Sequence, residues 1–265
     1  MVAVLSFALS HTELVAWGWR VPFMISGAFG VYLILLRLKL PESDEFNSIK
    51  RQNETKKNSS ILSNKKLLFL SFFLPAGASA GVYFFVYQVS YITTFIHADL
   101  FKATAINTIS TILLTIFIPI FAKLADRHGI QKVLYSGLGL LIITALPLFW
   151  LMSQQSLPMI ILGQLLFAIV LSPYLGLNAV FMASLYPTQI RITAFSFVYN
   201  LAVAIFGSSI PLVAIYLQKK VHFQFASGIY FIAMCLISLT ALIILSKHKT
   251  TSNKTLNLQP ASHSV

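Results

Sequence analysis

A chain of 265 residues of which only 10 % are charged and 57 % hydrophobic cannot cover a water-soluble body, since such a surface needs roughly a quarter of its residues charged. Its mean hydropathy of +0.80 points to lipid as the solvent. The net charge of +12 does not signal nucleic acid, because the basic residues sit at the edges of apolar runs and form no patch or stripe. One cysteine, Cys235, excludes an internal disulfide framework. The six histidines are scattered and pair with no carboxylate at ligand spacing, so neither a metal site nor an enzyme is expected.

The first ten residues, MVAVLSFALS, are apolar but too short to cross a bilayer, and they lack the basic start and small-residue cleavage pattern of a signal peptide. They read as half a membrane helix. Seven runs then reach the length of about twenty apolar residues that a crossing requires: 21–38, 66–96, 103–122, 133–152, 157–184, 192–217 and 225–246. Between the first two lies a mixed-charge, Asn/Ser-rich linker, 41–65, and after the last comes a Thr/Ser/Asn tail, 249–265, with the composition of a disordered segment.

If the linker is cytoplasmic, 15 of the 19 Lys and Arg residues fall on its side and 4 on the other. The positive-inside rule therefore predicts a multi-pass protein with linker and C-terminus in the cytoplasm. The charge-rich stretch "FAKLADRHGIQKVL", 121–134, is then a tight cytoplasmic turn between two spans. Within it, a carboxylate at Asp126 is placed to accept from the free N–H groups of a neighbouring helix start. Arg127 can bridge to carbonyls or carboxylates, and Gly129 permits the turn. Two readings stand: a charge latch between helices, or an ordinary positive-inside turn.

Those residues carry a resemblance. "AKLADRHGIQK" is similar to the Gly-x-x-x-Asp-Arg-x-Gly-Arg-Arg motif of the major facilitator superfamily, matching at Asp126, Arg127, Gly129 and Lys132 and departing at Ala122, Ile130 and Gln131. "WGWRVPFMISG" (17–27) with "LRLKLPESDEF" (36–46) resembles the sixth helix of its metabolite:proton symporter branch. "SLYPTQIRITAFSFVYNLAVAIFGSSIP" (184–211) resembles the entry into that branch's eleventh helix, matching at Pro187, Thr188, Arg191, Tyr199, Asn200, Phe206 and Gly207. Ser184, Ala194 and Ser208 depart from it.

The resemblance implies an all-α membrane protein: a C-terminal six-helix bundle, 66–248, preceded at 1–40 by part of helix five and by helix six. It implies proton-coupled symport of a small organic solute, proline/betaine or a small carboxylate, in a bacterial inner membrane, with no cofactor. A second expectation is a fragment unable to transport unless a separate N-terminal half is supplied. No Asp, Glu, Lys or Arg falls at membrane depth in any span, although ion coupling ordinarily uses one there. In this branch such charges are mainly in the first half.

Within the spans, Tyr83, Tyr87 and Tyr91 recur every four residues on one helix face, with Gln88 beside them. They either line a cavity, where the rings would attract a quaternary ammonium, or pack and anchor at the interface. Asn178 and Asn200 are amides at membrane depth, expected to bond to another helix or to a solute. The candidate cavity set is thus Tyr83, Tyr87, Gln88, Asn178 and Asn200; the candidate latch is Asp126, Arg127, Gly129 and Arg191. Pro75 with the Gly77–Gly81 pair, and Ser172–Pro173 with Gly176, are expected kinks and close approaches.

Overall fold

The computed structural model describes residues 2–39, 65–188, 190–220 and 226–257. The expected 41–65 linker, apart from Lys65, lies outside them. The described chain is helical throughout, with α1 at Val2–Ala8, α2 at Arg20–Lys39, α3 at Lys65–Phe73, α4 at Ala76–Thr94 and α5 at Leu100–His128. There follow α6 at Ile130–Ser153, α7 at Leu157–Ala183, α8 at Arg191–Ala202, α9 at Ser208–Lys220 and α10 at Ala226–Asn257. Seven stretches are long and apolar enough to cross a membrane: Leu14–Lys39, Lys65–Thr94, Leu100–His128, Ile130–Ser153, Leu157–Ala183, Arg191–Tyr216 and Ser227–Lys247. They coincide with the seven runs read from the sequence. The last helix continues to Asn257, into the stretch expected to be a disordered tail; nothing between 248 and 257 is Gly or Pro, so no residue there stops it.

Proline is what shapes these helices. Because it has no N–H, the carbonyl four residues earlier loses its donor, and in lipid a carbonyl without a donor is costly. Two wide π turns, Leu14–Gly18 and Val203–Gly207, each end on a glycine four residues before a proline, Pro22 and Pro211. Each wide turn thus ends at the carbonyl that the proline leaves without its helical donor. At Pro173 the solution differs: the helix stays unbroken, and the Ser172 hydroxyl donates to the Ile169 carbonyl at 2.7 Å in place of the absent N–H. The interruption expected there is thus a repaired helix.

Pro75 does break its span, between α3 and α4. The Tyr174 hydroxyl donates to the Leu74 carbonyl, and the Gly77 amide donates to the Ser238 hydroxyl at 2.8 Å. Two other helices thereby satisfy the groups that the break frees.

Lys65–Thr94 is the most enclosed span, and it runs through the centre of the bundle. A Cβ at Gly81 would lie 2.6 Å from Leu171, and one at Gly77 3.3 Å from the Cα of Cys235, so the paired glycines are what let α7 and α10 approach α4. Four aromatic rings, Phe84, Phe149, Phe167 and Phe231, meet where α4, α6, α7 and α10 converge, with centroids 4.2–5.8 Å apart. Outside this bundle, α1 packs on the start of α5 through Phe7 and Phe101, 5.4 Å apart. The α2 helix buries no residue at all.

Candidate functional site: the aromatic and amide cleft

One face of α4 carries the candidate site. Tyr87 and Tyr91 are both buried, each 4 % exposed, with ring centroids 6.0 Å apart. Tyr91 donates its hydroxyl to the Ser153 carbonyl at 3.0 Å, tying α4 to the end of α6. Gln88 is 2 % exposed, and its Oε1 has no hydrogen-bond partner. These three, with Phe84, Phe149, Met152, Ser153 and Ser227, line a cleft whose free space is about 20 Å³. That is room for a water molecule and far below the several hundred Å³ of an ordinary ligand pocket. An organic solute could touch this surface only if a further surface faced it.

The other cavity candidates are elsewhere. Tyr83, although on the same helix face, packs its ring on Gly207 so closely that a Cβ there would come within 2.6 Å. It fastens α4 to the π turn and lines no part of the cleft. Asn178 is fully buried, but its amide donates to the carbonyls of Tyr174 and Leu175 at 3.0 and 2.8 Å. Asn200 is exposed and donates to the Ser196 carbonyl at 2.7 Å. Both amides thus bond within their own helices, and the expected bond to another helix is absent from the bonds either amide donates. Sequence reasoning missed Gln164, which is wholly buried with neither Nε2 nor Oε1 partnered. The signal was available: a glutamine at the middle of the apolar run ILGQLLF.

The latch candidates lie at the opposite end of the bundle. Gly129 separates α5 from α6 at φ +93°, in open space, a conformation that the missing Cβ permits. Asp126 and Arg127 are exposed, and among the described residues the ion pair is Lys102–Asp99 at 3.6 Å, at the other end of α5. Arg191 donates from Nε to the Tyr186 carbonyl at 3.3 Å, holding the loop that precedes α8. Arg127, Lys123 and Leu124 instead border an open groove with Ile120 and Phe121.

Comparison with known proteins decides the family, because the profile of the Major Facilitator Superfamily matches residues 2–211. The chain belongs to the Major Facilitator Superfamily. As a member with seven membrane-span-length helices, it is a multi-pass membrane protein. A putative proline/betaine transporter of Staphylococcus aureus strain MSSA476 is 30 % identical over 263 residues, covering 97 % of this chain and 56 % of that protein. The ectoine/proline transporter ProP of Corynebacterium glutamicum is 22 % identical over 93 % of this chain and 53 % of its own length. A citrate-proton symporter of Salmonella typhi is 26 % identical over 90 % of this chain and 56 % of its own. The chain therefore spans about half the length of the curated relatives it matches. No solved structure matches it. These relatives are transporters, a class outside the enzymes.

Proposed function

We propose that this major facilitator chain forms one lobe of a carrier for a small organic solute, of the osmolyte or carboxylate class, moved together with protons. The supporting observation is the cleft itself: Tyr87, Tyr91 and Gln88 form a polar-aromatic surface inside an otherwise apolar bundle, with water-sized free space. Such a surface is half a site. Ring faces attract a cationic or zwitterionic head by about 0.5–2 kcal/mol each, and a second lobe across it would complete the enclosure. The names of the relatives, proline/betaine, ectoine/proline and citrate-proton, favour this solute range.

A second reading is favoured by α2. An apolar helix that buries no residue against the rest of the chain is one whose packing partners lie elsewhere, in lipid or in another polypeptide. On that reading the chain inserts but transports only beside a separate first half. The absence of a charged residue at membrane depth points the same way for proton coupling, since the proton carrier must then come from outside these seven spans. The proposed orientation has the linker and C-terminus in the cytoplasm, from the Lys and Arg distribution.

Uptake of labelled proline, glycine betaine and citrate into proteoliposomes tests both. Gradient-driven uptake by this chain alone supports the first reading in its strong form. Uptake only when the first half of the Staphylococcus aureus relative is co-reconstituted supports the second. Absence of uptake under both conditions, with the chain correctly inserted, defeats the transport proposal.

A further inference from the structure

Helix α4 and helix α7 run antiparallel, and three close approaches set their register. Gly81 meets Leu171. One turn on, Phe85 meets Phe167, with centroids 5.5 Å apart, and Phe84 meets the same ring at 5.7 Å. Advancing three residues along α4 and returning three along α7 brings the next pair opposite each other: Gln88 and Gln164. Both are buried, at 2 % and 0 % exposure. Gln88 Oε1 and both polar atoms of Gln164 lack a protein partner.

A third amide arrives at this level from α5. Gly176 of α7 packs on Ile118 of α5, and these two helices run parallel, so an unchanged offset along them brings Asn107 to the level of the Gln164 turn. Its Oδ1 is also buried and unpartnered. Met152 closes the arrangement. Its Cγ would lie 2.6 Å from a Cβ on Gly163, the neighbour of Gln164, and it lines the cleft together with Gln88.

We propose that Gln88, Asn107 and Gln164 form an internal hydration site, holding water where Gln88 opens onto the tyrosine cleft. Three unpartnered carbonyl oxygens against one unpartnered amide nitrogen is a set rich in acceptors, and its complement is a small molecule with O–H donors. Water supplies two donors and accepts from Gln164 Nε2, and the cleft beside Gln88 has space of about one water. An amide left unbonded in an apolar interior is strongly disfavoured, and glutamine has no packing advantage over leucine at such a position. The site does not depend on the transport reading, since it requires only the bundle.

Pulsed X-ray radiolysis of the full chain in lipid nanodiscs, in isotopically labelled water, tests the site, because side chains touching bound water acquire its oxygen. Met152 and Met182 are equally enclosed, at 1 % and 0 % exposure, but only Met152 neighbours the amides. Met152 is expected to label several-fold faster than Met182. In Gln164→Leu the Met152 rate is expected to fall to that of Met182, while Met159, 45 % exposed on the outside of α7, keeps its label. If Gln164→Leu does not fold, Asn107→Leu is expected to give the same selective loss. Equal labelling of the two methionines, or a Met152 label that survives the leucine variants, overturns the proposal.

Discussion

The backbone amide of Gly77 donates a 2.8 Å hydrogen bond to the side-chain hydroxyl of Ser238, 161 residues away in sequence. The amide belongs to the first turn of α4, just past the Pro75 break, where no carbonyl of its own helix can receive it. Ser238 is fully buried. Its hydroxyl is in effect the cap of a helix on another span.

Ser238→Ala is therefore expected to lower stability by about 1–3 kcal/mol, the cost of a buried donor without a partner. Ser238→Thr, which keeps a hydroxyl, is expected to lose less. Thermal unfolding of the chain in detergent, followed by circular dichroism, makes the comparison.

At the glycines the two reasons for having no side chain separate. Gly81→Ala places a methyl 2.6 Å from the Leu171 side chain, and the cost of such overpacking is typically about 1–3 kcal/mol. Gly129→Ala meets nothing within 4 Å but must hold φ at +93°, which costs about 1–3 kcal/mol by backbone strain alone. A second-site Leu171→Ala change is expected to rescue Gly81→Ala and to leave Gly129→Ala unrescued. Paired melting curves decide it.

For the cleft, Tyr87→Ala is expected to weaken solute binding by about 0.5–2 kcal/mol if a cationic head rests on the ring, with Tyr87→Phe nearly neutral. Asn200→Ala is expected to leave binding and stability within about 0.5 kcal/mol of the parent, since Asn200 is exposed and donates within its own helix to Ser196. Titration calorimetry on the reconstituted two-lobe protein reads both variants. A loss at Asn200 equal to that at Tyr87 would mean that the solute touches the exposed face of α8.

The loop between α7 and α8 carries a pH prediction. Burial raises the Tyr186 phenol above its ordinary value, and the hydrogen bond with Ser71 partly offsets this. A raised value in the folded protein means a contribution to stability present in full below the ordinary phenol value of about 10. That contribution is lost as pH rises through the higher folded value. Tyr186→Phe is expected to flatten this alkaline decline, read as the unfolding temperature against pH.

Asp126→Asn is expected to leave the melting temperature of the chain unchanged, because Asp126 is exposed and pairs with no charge among the described residues. If Asp126 and Arg127 act as a latch, the effect will appear only in the transport rate of the assembled carrier.

The sequence by itself determined which stretches of the described chain form helices long and apolar enough to cross a membrane. The cost of burying charge in lipid makes twenty uncharged residues a crossing whatever packs around them, and the seven runs stand where they were expected. It also determined the turn at Gly129, because φ +93° is tolerated well only without a Cβ. It showed that Gly77 and Gly81 would be sites of close approach.

Only the tertiary structure decided which polar groups meet. Helical spacing put Tyr83, Tyr87 and Tyr91 on one face, yet Tyr83 went to the Gly207 turn while Tyr87 and Tyr91 went to the cleft, since different helices pack along that face at different depths. Asn178 and Asn200 looked alike in sequence, and one is buried while the other is exposed. Gln164 gained its place opposite Gln88 from a register set by the Gly81–Leu171 and Phe85–Phe167 approaches. Register between helices is a property of side-chain shapes meeting across a gap, and no local pattern along one strand of sequence encodes it.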